Sequence, residues 1–449
     1  MIEPRPHQIL QTERTPKLPG IVGFKRPFPK PRLMLVPVLA LAAVIAACGG
    51  SDGSGPQERT IRVDYSHDEF ASYFLEYYPR KVTLRPGDTA VFKQTWTGEP
   101  HSVTMGTLVD DLVKVVDPYI ERMKDGEPLP DEEPEEVREA GEALPWMFGE
   151  DLEDVNQLAA QPCYIGTGEM PADVKQPCEE RTLPAFKGTE TYYNSGFIPY
   201  EGRGGNEFRV PLADDIEPGT YYFYCNYHGS IMSGAINVVD RGASIPSQQE
   251  VNRQAREEIE QSAAPLRREL EKVKNGELEV PEPEAGFLRR SGHLRPGTNF
   301  FRGNLSGLYA EESFIGGINE FLPQDIEAEA GEKVTWINLG MHTISFNVPR
   351  YFPIISVEDD GTVVYNPQIA PPAGGAPEPP PPFEGEEQSE GPPEPVSIDA
   401  GTWDGEGFYS SGLIGADPFL EYSITFSRPG SYKYACLIHP PMTGTVVVK

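Results

Sequence analysis

Histidine and cysteine are both scarce in this 449-residue chain, at seven and five, and 38 Lys and Arg are outnumbered by 69 Asp and Glu. Each shortage excludes something. The net charge of −31 would repel a phosphate backbone, which argues against nucleic acid as a partner. Five cysteines are too few to staple so long a chain, so packed cores must hold it. The apolar run Leu33 to Ala47 falls short of the roughly 20 residues that span a bilayer.

What is present is a repeat in four separate segments. Val82 to Asp88, followed by Ala90 and Phe92, matches Ile326 to Glu332, followed by Val334 and Trp336. Each reads as a strand, a glycine turn and another strand, with apolar residues at every second position. Tyr192-Tyr-Asn-Ser-Gly-Phe-Ile198 returns as Phe408-Tyr-Ser-Ser-Gly-Leu-Ile414, and the stretch from Pro218-Gly219 to Cys225 returns, at equal length, as Pro429-Gly430 to Cys436. Shared order across all four indicates two copies of one β domain.

The scarce residues fall at matching places in the two copies. Cys436, His439 and Met442 join His342 as one candidate set; His101, Cys225, His228 and Met232 form the other. Two imidazoles and a thiolate with a weak axial thioether suit copper in a geometry between those its two oxidation states prefer. Zinc also accepts thiolate and imidazole, and a β-sandwich that has lost its metal would keep some of these residues. The thioether at both fourth positions favours copper.

Residues of this kind in this order resemble the cupredoxin family. Cys436-Leu-Ile-His-Pro-Pro-Met442 is similar to the short ligand loop of amicyanin, whereas Cys225-Asn-Tyr-His-Gly-Ser-Ile-Met232 is one residue longer, between amicyanin and plastocyanin spacing. The resemblance covers roughly residues 60–105, 185–240, 310–350 and 400–449. It implies a mainly β fold of two Greek-key sandwiches and two type 1 (blue) copper centres. It also implies that Ser102 and Thr343, next to the first His of each copy, hydrogen-bond to the Cys loop, a place the family often gives to Asn.

Two-domain cupredoxins include nitrite reductases and multicopper oxidases, which place His beside the blue-copper Cys and hold further copper with several His. Here the neighbours are Tyr224 and Asn226, or Ala435 and Leu437. His7 falls in a segment expected to be removed, four histidines are committed, and only His67 and His293 remain. Two cannot build a three-His centre, and no Cys-x-x-x-Cys pair supplies a binuclear one. The expectation is a carrier rather than an enzyme. Copper capture or delivery would use the same ligands, and an oxidase or reductase would need a site completed by another chain.

The remaining cysteines describe the setting. Ile45-Ala-Ala-Cys48 follows the apolar run and an upstream group of Lys and Arg, in the form of a bacterial lipobox that would be cut and lipidated at Cys48. A plain secretory signal or a short membrane anchor is the alternative, and the start codon could lie downstream of Met1. Residues 1–47 hold seven basic and two acidic residues, so removing them takes the charge five lower, to −36. Such acidity steers basic redox partners, or else serves only solubility or adaptation to a salty or calcium-rich medium. Cys163 and Cys178, with no His near, read as a disulfide, which requires an oxidising, extracytoplasmic compartment.

These readings divide the chain into a signal peptide (1–47), a tether (48–58), domain 1 (59–240, with insertion 107–183), a helical linker (241–309) and domain 2 (310–449, with a Pro-rich insertion 350–400). In the first insertion Leu108, Leu112, Val115, Val116 and Ile120 predict a helix, and the segment is expected to cap one flank of the first site. In the linker, Val251, Ala255, Ile259, Leu266, Leu270 and Val273 predict two amphipathic helices broken at Pro265, packed on the sandwiches or used for oligomerisation. Residues 277–309 read as irregular connection, and Pro371 to Pro395 is too rich in Pro, Gly and Glu to pack.

Overall fold

Alternating burial builds the architecture: Ile61 and Val63, Val82 and Leu84, and Val446 and Val448 are each buried two residues apart on their strands, as one-sided packing of a pleated sheet requires. In the computed structural model the chain is mainly β, with two Greek-key sandwiches. The structure describes residues 55–65, 74, 76–94, 100–124, 134–145, 155–171, 175–198, 206–275, 304–309, 317–338, 342–348, 355–358, 361–366, 397–412, 414, 420–439 and 442–449. The apolar run, Cys48, most of the tether, His67, His293 and Pro371 to Pro395 lie outside the described residues. Among the described residues no helix is long and apolar enough to cross a membrane.

One strand order is used twice. The smaller sheet of the first sandwich runs Tyr77–Tyr78, Glu58–Val63, Thr89–Gln94, Glu207–Pro211; the second sandwich repeats it as Gly317–Leu322, Asn304–Tyr309, Lys333–Asn338, Leu420–Phe426. The facing sheet runs Lys81–Leu84, Gly229–Val238, Gly219–Cys225, Ser102–Met105, Tyr192–Phe197, and its counterpart runs Asp325–Ala328, Thr443–Val448, Gly430–Ala435, Ser345–Phe346, Tyr409–Ser410. Each copy has parallel pairing at the same two places. The additions differ: Pro162–Ile165, from the first insertion, extends one sheet, and Ser397–Trp403 extends another.

The cores repeat as well. Phe223 packs edge-on against Tyr77 and Phe92, both at 4.9 Å between centroids, and Tyr434 takes the same place against Phe321 and Trp336 at 4.5 and 5.4 Å. Such offset aromatic packing adds to the area these rings bury. The repeated Pro-Gly-x-Tyr segment has a physical role in both copies: the Tyr221 hydroxyl donates to the Glu217 carbonyl and the Tyr432 hydroxyl to the Arg428 carbonyl, each at 2.8 Å. These bonds pin the turn before the cysteine strand.

The connections depart from the sequence reading in three ways. The linker forms one helix, Gln248–Asn275, with Pro265 inside it. Val251, Ala255, Ile259, Ala263 and Leu266 are buried along one face on both sides of the proline, so packing offsets the roughly 3 kcal/mol a helix-interior proline costs. Helix Thr107–Lys124 forms, but it is Val109 and Val113, not Leu108 and Val115, that are buried beside Leu112, Val116 and Ile120. They pack against Tyr224, on the strand that ends at Cys225. Asn304–Tyr309 is a strand paired on both sides rather than irregular connection, so the second sandwich begins before residue 310. The disulfide Cys163–Cys178 is formed, with its Cα atoms 5.4 Å apart.

Candidate metal centres

Two strand ends meet at each site. Gly219–Cys225 delivers Cys225 at its last position, and the loop behind it carries His228. His101 stands just before Ser102–Met105, a neighbouring strand of the same sheet. The second copy uses Gly430–Ala435 with Cys436 next in the chain, then His439, and sets His342 ahead of Ser345–Phe346. The structure thus brings together His101, Cys225 and His228, and separately His342, Cys436 and His439. Among the described residues no other group of three or more His, Cys, Asp or Glu side chains gathers closely enough to hold an ion.

The donor atoms face one another. The imidazole Nδ1 atoms are 3.1 Å apart in both copies. Cys225 Sγ lies 3.9 Å from His101 Nδ1 and 3.7 Å from His228 Nδ1; Cys436 Sγ lies 4.0 Å from His342 Nδ1 and 3.5 Å from His439 Nδ1. Metal bonds of about 2.0–2.1 Å to nitrogen and about 2.3 Å to thiolate put two donors on one ion about 3–4 Å apart. All six separations fit a single ion per site.

Met232 and Met442 are fully buried, each in the core cluster that holds its cysteine. The extra residue in the first loop is absorbed locally. Ser233, after Met232, pairs with Tyr224, before Cys225; Thr443, after Met442, pairs with Ala435, before Cys436. A register irregularity between Gly229 and Ser233 takes up the difference. Both methionines therefore enter the closing strand at the same register.

The supporting shell is duplicated. Ser102 N donates to Cys225 Sγ and Thr343 N to Cys436 Sγ, each at 3.4 Å. The Ser102 hydroxyl accepts from Asn226 N and the Thr343 hydroxyl from Leu437 N, both at 2.8 Å. Serines from the repeated Asn-Ser-Gly and Ser-Ser-Gly segments brace the first histidine's strand. Ser195 Oγ accepts from Val103 N at 2.8 Å and Ser411 Oγ from Ile344 N at 2.9 Å. Gly196 and Gly412 follow with φ of +65° and +68°, where a side chain would be strained. At Gly196 a Cβ would also meet the Gln161 and Pro162 backbone at 2.6 Å.

Three features were not singled out from the sequence. Thr104 and Ser345 bond to Ser102 and Thr343 through their hydroxyls at 3.3 and 3.0 Å. A signal existed for them, since His-Ser-Val-Thr104 and His-Thr-Ile-Ser345 share one pattern. The first insertion reaches the first site through Asn226, whose Nδ2 donates to the Tyr192 hydroxyl at 2.9 Å and to the Ala159 carbonyl at 3.3 Å. Asp64 is the third. Fully buried, it places Oδ2 3.0 Å from His101 Nε2, while Oδ1 accepts from Phe74 N at 3.0 Å. Nothing in the sequence separates Asp64 from an ordinary residue at a strand end.

Electrostatics favour a thiolate between two imidazoles. Burial opposes charge on His101, but Asp64 and the Cys225 sulfur overcome it and raise the imidazole to about 10. Burial also opposes ionisation of Cys225 and Cys436, yet the facing imidazoles hold both thiols well below their ordinary range. Such a pocket suits a soft or borderline cation and would shield it: His342, Cys436 and His439 are buried, as are His101 and Cys225, whereas His228 is partly open to solvent.

No family model matches the sequence, and no curated protein does. Parts of the chain are similar to solved structures. A novel purple cupredoxin from Nitrosopumilus maritimus is 19% identical over 29% of this chain and 83% of that one, with a TM-score of 0.14. Auracyanin from Roseiflexus castenholzii is 16% identical over 41% and 98%, with a TM-score of 0.20. Amicyanin from Paracoccus versutus is 19% identical over 29% and 73%, with a TM-score of 0.14.

Proposed function

We propose that this chain is a tandem cupredoxin that carries single electrons outside the cytoplasm through two type 1 copper centres, tethered to a membrane by lipid on Cys48. The observation that carries this reading is the doubled cluster: a thiol and two imidazoles within 4.0 Å, twice, each with a buried methionine in the same core. Copper, when bound, supplies a one-electron couple.

The chain's residues do the rest. Cys225 and Cys436 would give the strong thiolate bond, and His101 with His228 and His342 with His439 would each add two imidazole nitrogens. Met232 and Met442 would supply a weak thioether. Backbone N–H groups of Ser102 and Thr343 take up part of the thiolate charge, and the hydroxyl bonds to residues 226 and 437 hold the cysteine loops still. Ligands fixed by two strands and a pinned loop move little when charge changes, which keeps the reorganisation accompanying electron transfer small. The formed Cys163–Cys178 bond supports an oxidising compartment. Basic redox proteins are the partners that the acidic surface would steer.

Reductive titration tests the carrier role. Two one-electron steps per chain, reversible and without copper loss, are expected; release of copper on reduction would make the chain a delivery protein instead. More than two coppers per chain would point to an enzyme.

Asp64 bears directly on the first centre. A carboxylate on a ligand's far nitrogen favours the more positive, oxidised state. An opposite charge at this range shifts a pKa by about 1–3 units, which for a one-electron couple is about 60–180 mV. Asp64→Asn is therefore expected to raise the first centre's potential by that order and leave the second unchanged, measured by spectroelectrochemistry.

A further inference from the structure

The stretch of chain between His342 and Cys436 does not stay with its own sandwich. Ile355–Val357 and Val363–Tyr365 form a hairpin that docks against residues 155–161 of the first sandwich's insertion. Gln157 pairs with Val363 as a strand would: its Nε2 donates to the Val363 carbonyl at 2.9 Å and its Oε1 accepts from Val363 N at 2.8 Å. Gln161 Nε2 donates to the Gly361 carbonyl, also at 2.9 Å. Gln157, Gln161 and Val363 are all buried. Two buried amides that spend hydrogen bonds on one hairpin's backbone fix its position closely.

This seam touches the surroundings of both clusters. On one side, the His228 ring lies 4.4 Å from the Tyr227 ring, which stands 6.4 Å from Phe197. Phe197 packs on the small apolar cluster of Val155, Ala160 and Val363. On the other side, Ile355 and Tyr365 pack on that same cluster and also on the second sandwich's core, which contains Cys436 and Met442. A second line runs from Cys225 through Asn226, whose amide reaches the Ala159 carbonyl, into the segment that carries Gln157 and Gln161. Both lines converge on the hairpin.

We propose that the seam is an internal electron relay, so that each centre's immediate redox partner is the other centre of the same chain. The proposal rests on the copper reading above. One electron leaves the reduced centre, which ends oxidised by one unit, and reduces the other by one; no atom or proton is transferred and no further reactant is consumed. Tunnelling weakens steeply across gaps, and a path of packed rings and hydrogen-bonded backbone leaves few.

The test uses the full copper-loaded chain with both centres oxidised. A pulse of reducing radical delivers less than one electron per chain, and optical or freeze-quench EPR spectra follow both centres, with Cys225→Ser and Cys436→Ser proteins supplying the reference spectrum of each. A first-order phase is expected in which one centre reoxidises as the other is reduced, at a rate independent of protein concentration. Gln157→Ala and Tyr365→Leu, on opposite sides of the seam, should each slow it by about tenfold or more while leaving both blue spectra intact.

A readout without copper accompanies it. In the metal-free chain the Val363 amide should be protected from hydrogen exchange, and Gln157→Ala should remove that protection. Redistribution proportional to protein concentration, or a first-order phase unaffected by both variants, overturns the relay and leaves the two-copper reading standing. Absence of blue spectra overturns both.

Discussion

Cys225→Ser is expected to remove one copper per chain and roughly half of the visible absorption, and Cys436→Ser to remove the other half, because the thiolate is the donor that defines a blue copper site. Neither loss can be made good locally. Cys225 and Cys436 are the free cysteines among the described residues, both are buried, and the other described pair is locked in a disulfide. The sites should fail independently, since each draws its ligands from its own sandwich. Metal analysis and the optical spectrum of each single variant check this. If either variant kept two coppers and full colour, the ligand assignment would be wrong.

Breaking the disulfide is expected to have the largest effect on stability. Cys163 and Cys178 are 15 residues apart, and closing a loop of that size contributes about 3 kcal/mol in the chain-entropy account. The bridge also packs with Leu158 and Tyr192. Tyr192 in turn gives its hydroxyl to the Leu158 carbonyl at 3.1 Å and accepts from Asn226, next to Cys225. A Cys163→Ser, Cys178→Ser double variant should therefore unfold its first sandwich at lower denaturant, and the first centre should be perturbed while the second keeps its spectrum. Equal sensitivity of both centres, or an unchanged midpoint, would contradict this.

The parts of the molecule legible in the sequence are those fixed by local patterns. Strands such as Lys81–Leu84 and Thr443–Val448 show themselves by burial at every second residue, and the duplication shows the sheet order once one copy is understood. The Ser102 and Thr343 bonds to the cysteine loops follow from their place beside the first histidine. What was not legible depends on contacts between distant segments. Asp64 matters because a turn carries it beneath His101, 37 residues away. Gln157 and Gln161 look like ordinary polar residues until the hairpin from the other sandwich arrives, about 200 positions later, to take their amides. Pro265 reads as a helix break because its local cost and the apolar face on both sides of it are visible, whereas how deeply that face is buried, which decides between them, is not.

The acidic surface and the seam place different demands on the protein. Charge can steer a partner to the molecule, but it acts over about 8 Å at physiological salt and is weakened by added ions. A fixed internal contact is not subject to that screening. Exchange with external partners should therefore slow as salt is added, and redistribution within the chain should not.

The most direct measurement is the copper content and visible spectrum of the purified full chain after loading with copper(II). The account predicts two coppers per chain and the intense absorption of thiolate-to-copper charge transfer, bleached by reductant and restored by oxidant. A colourless protein, or one that binds copper without that absorption, would contradict it.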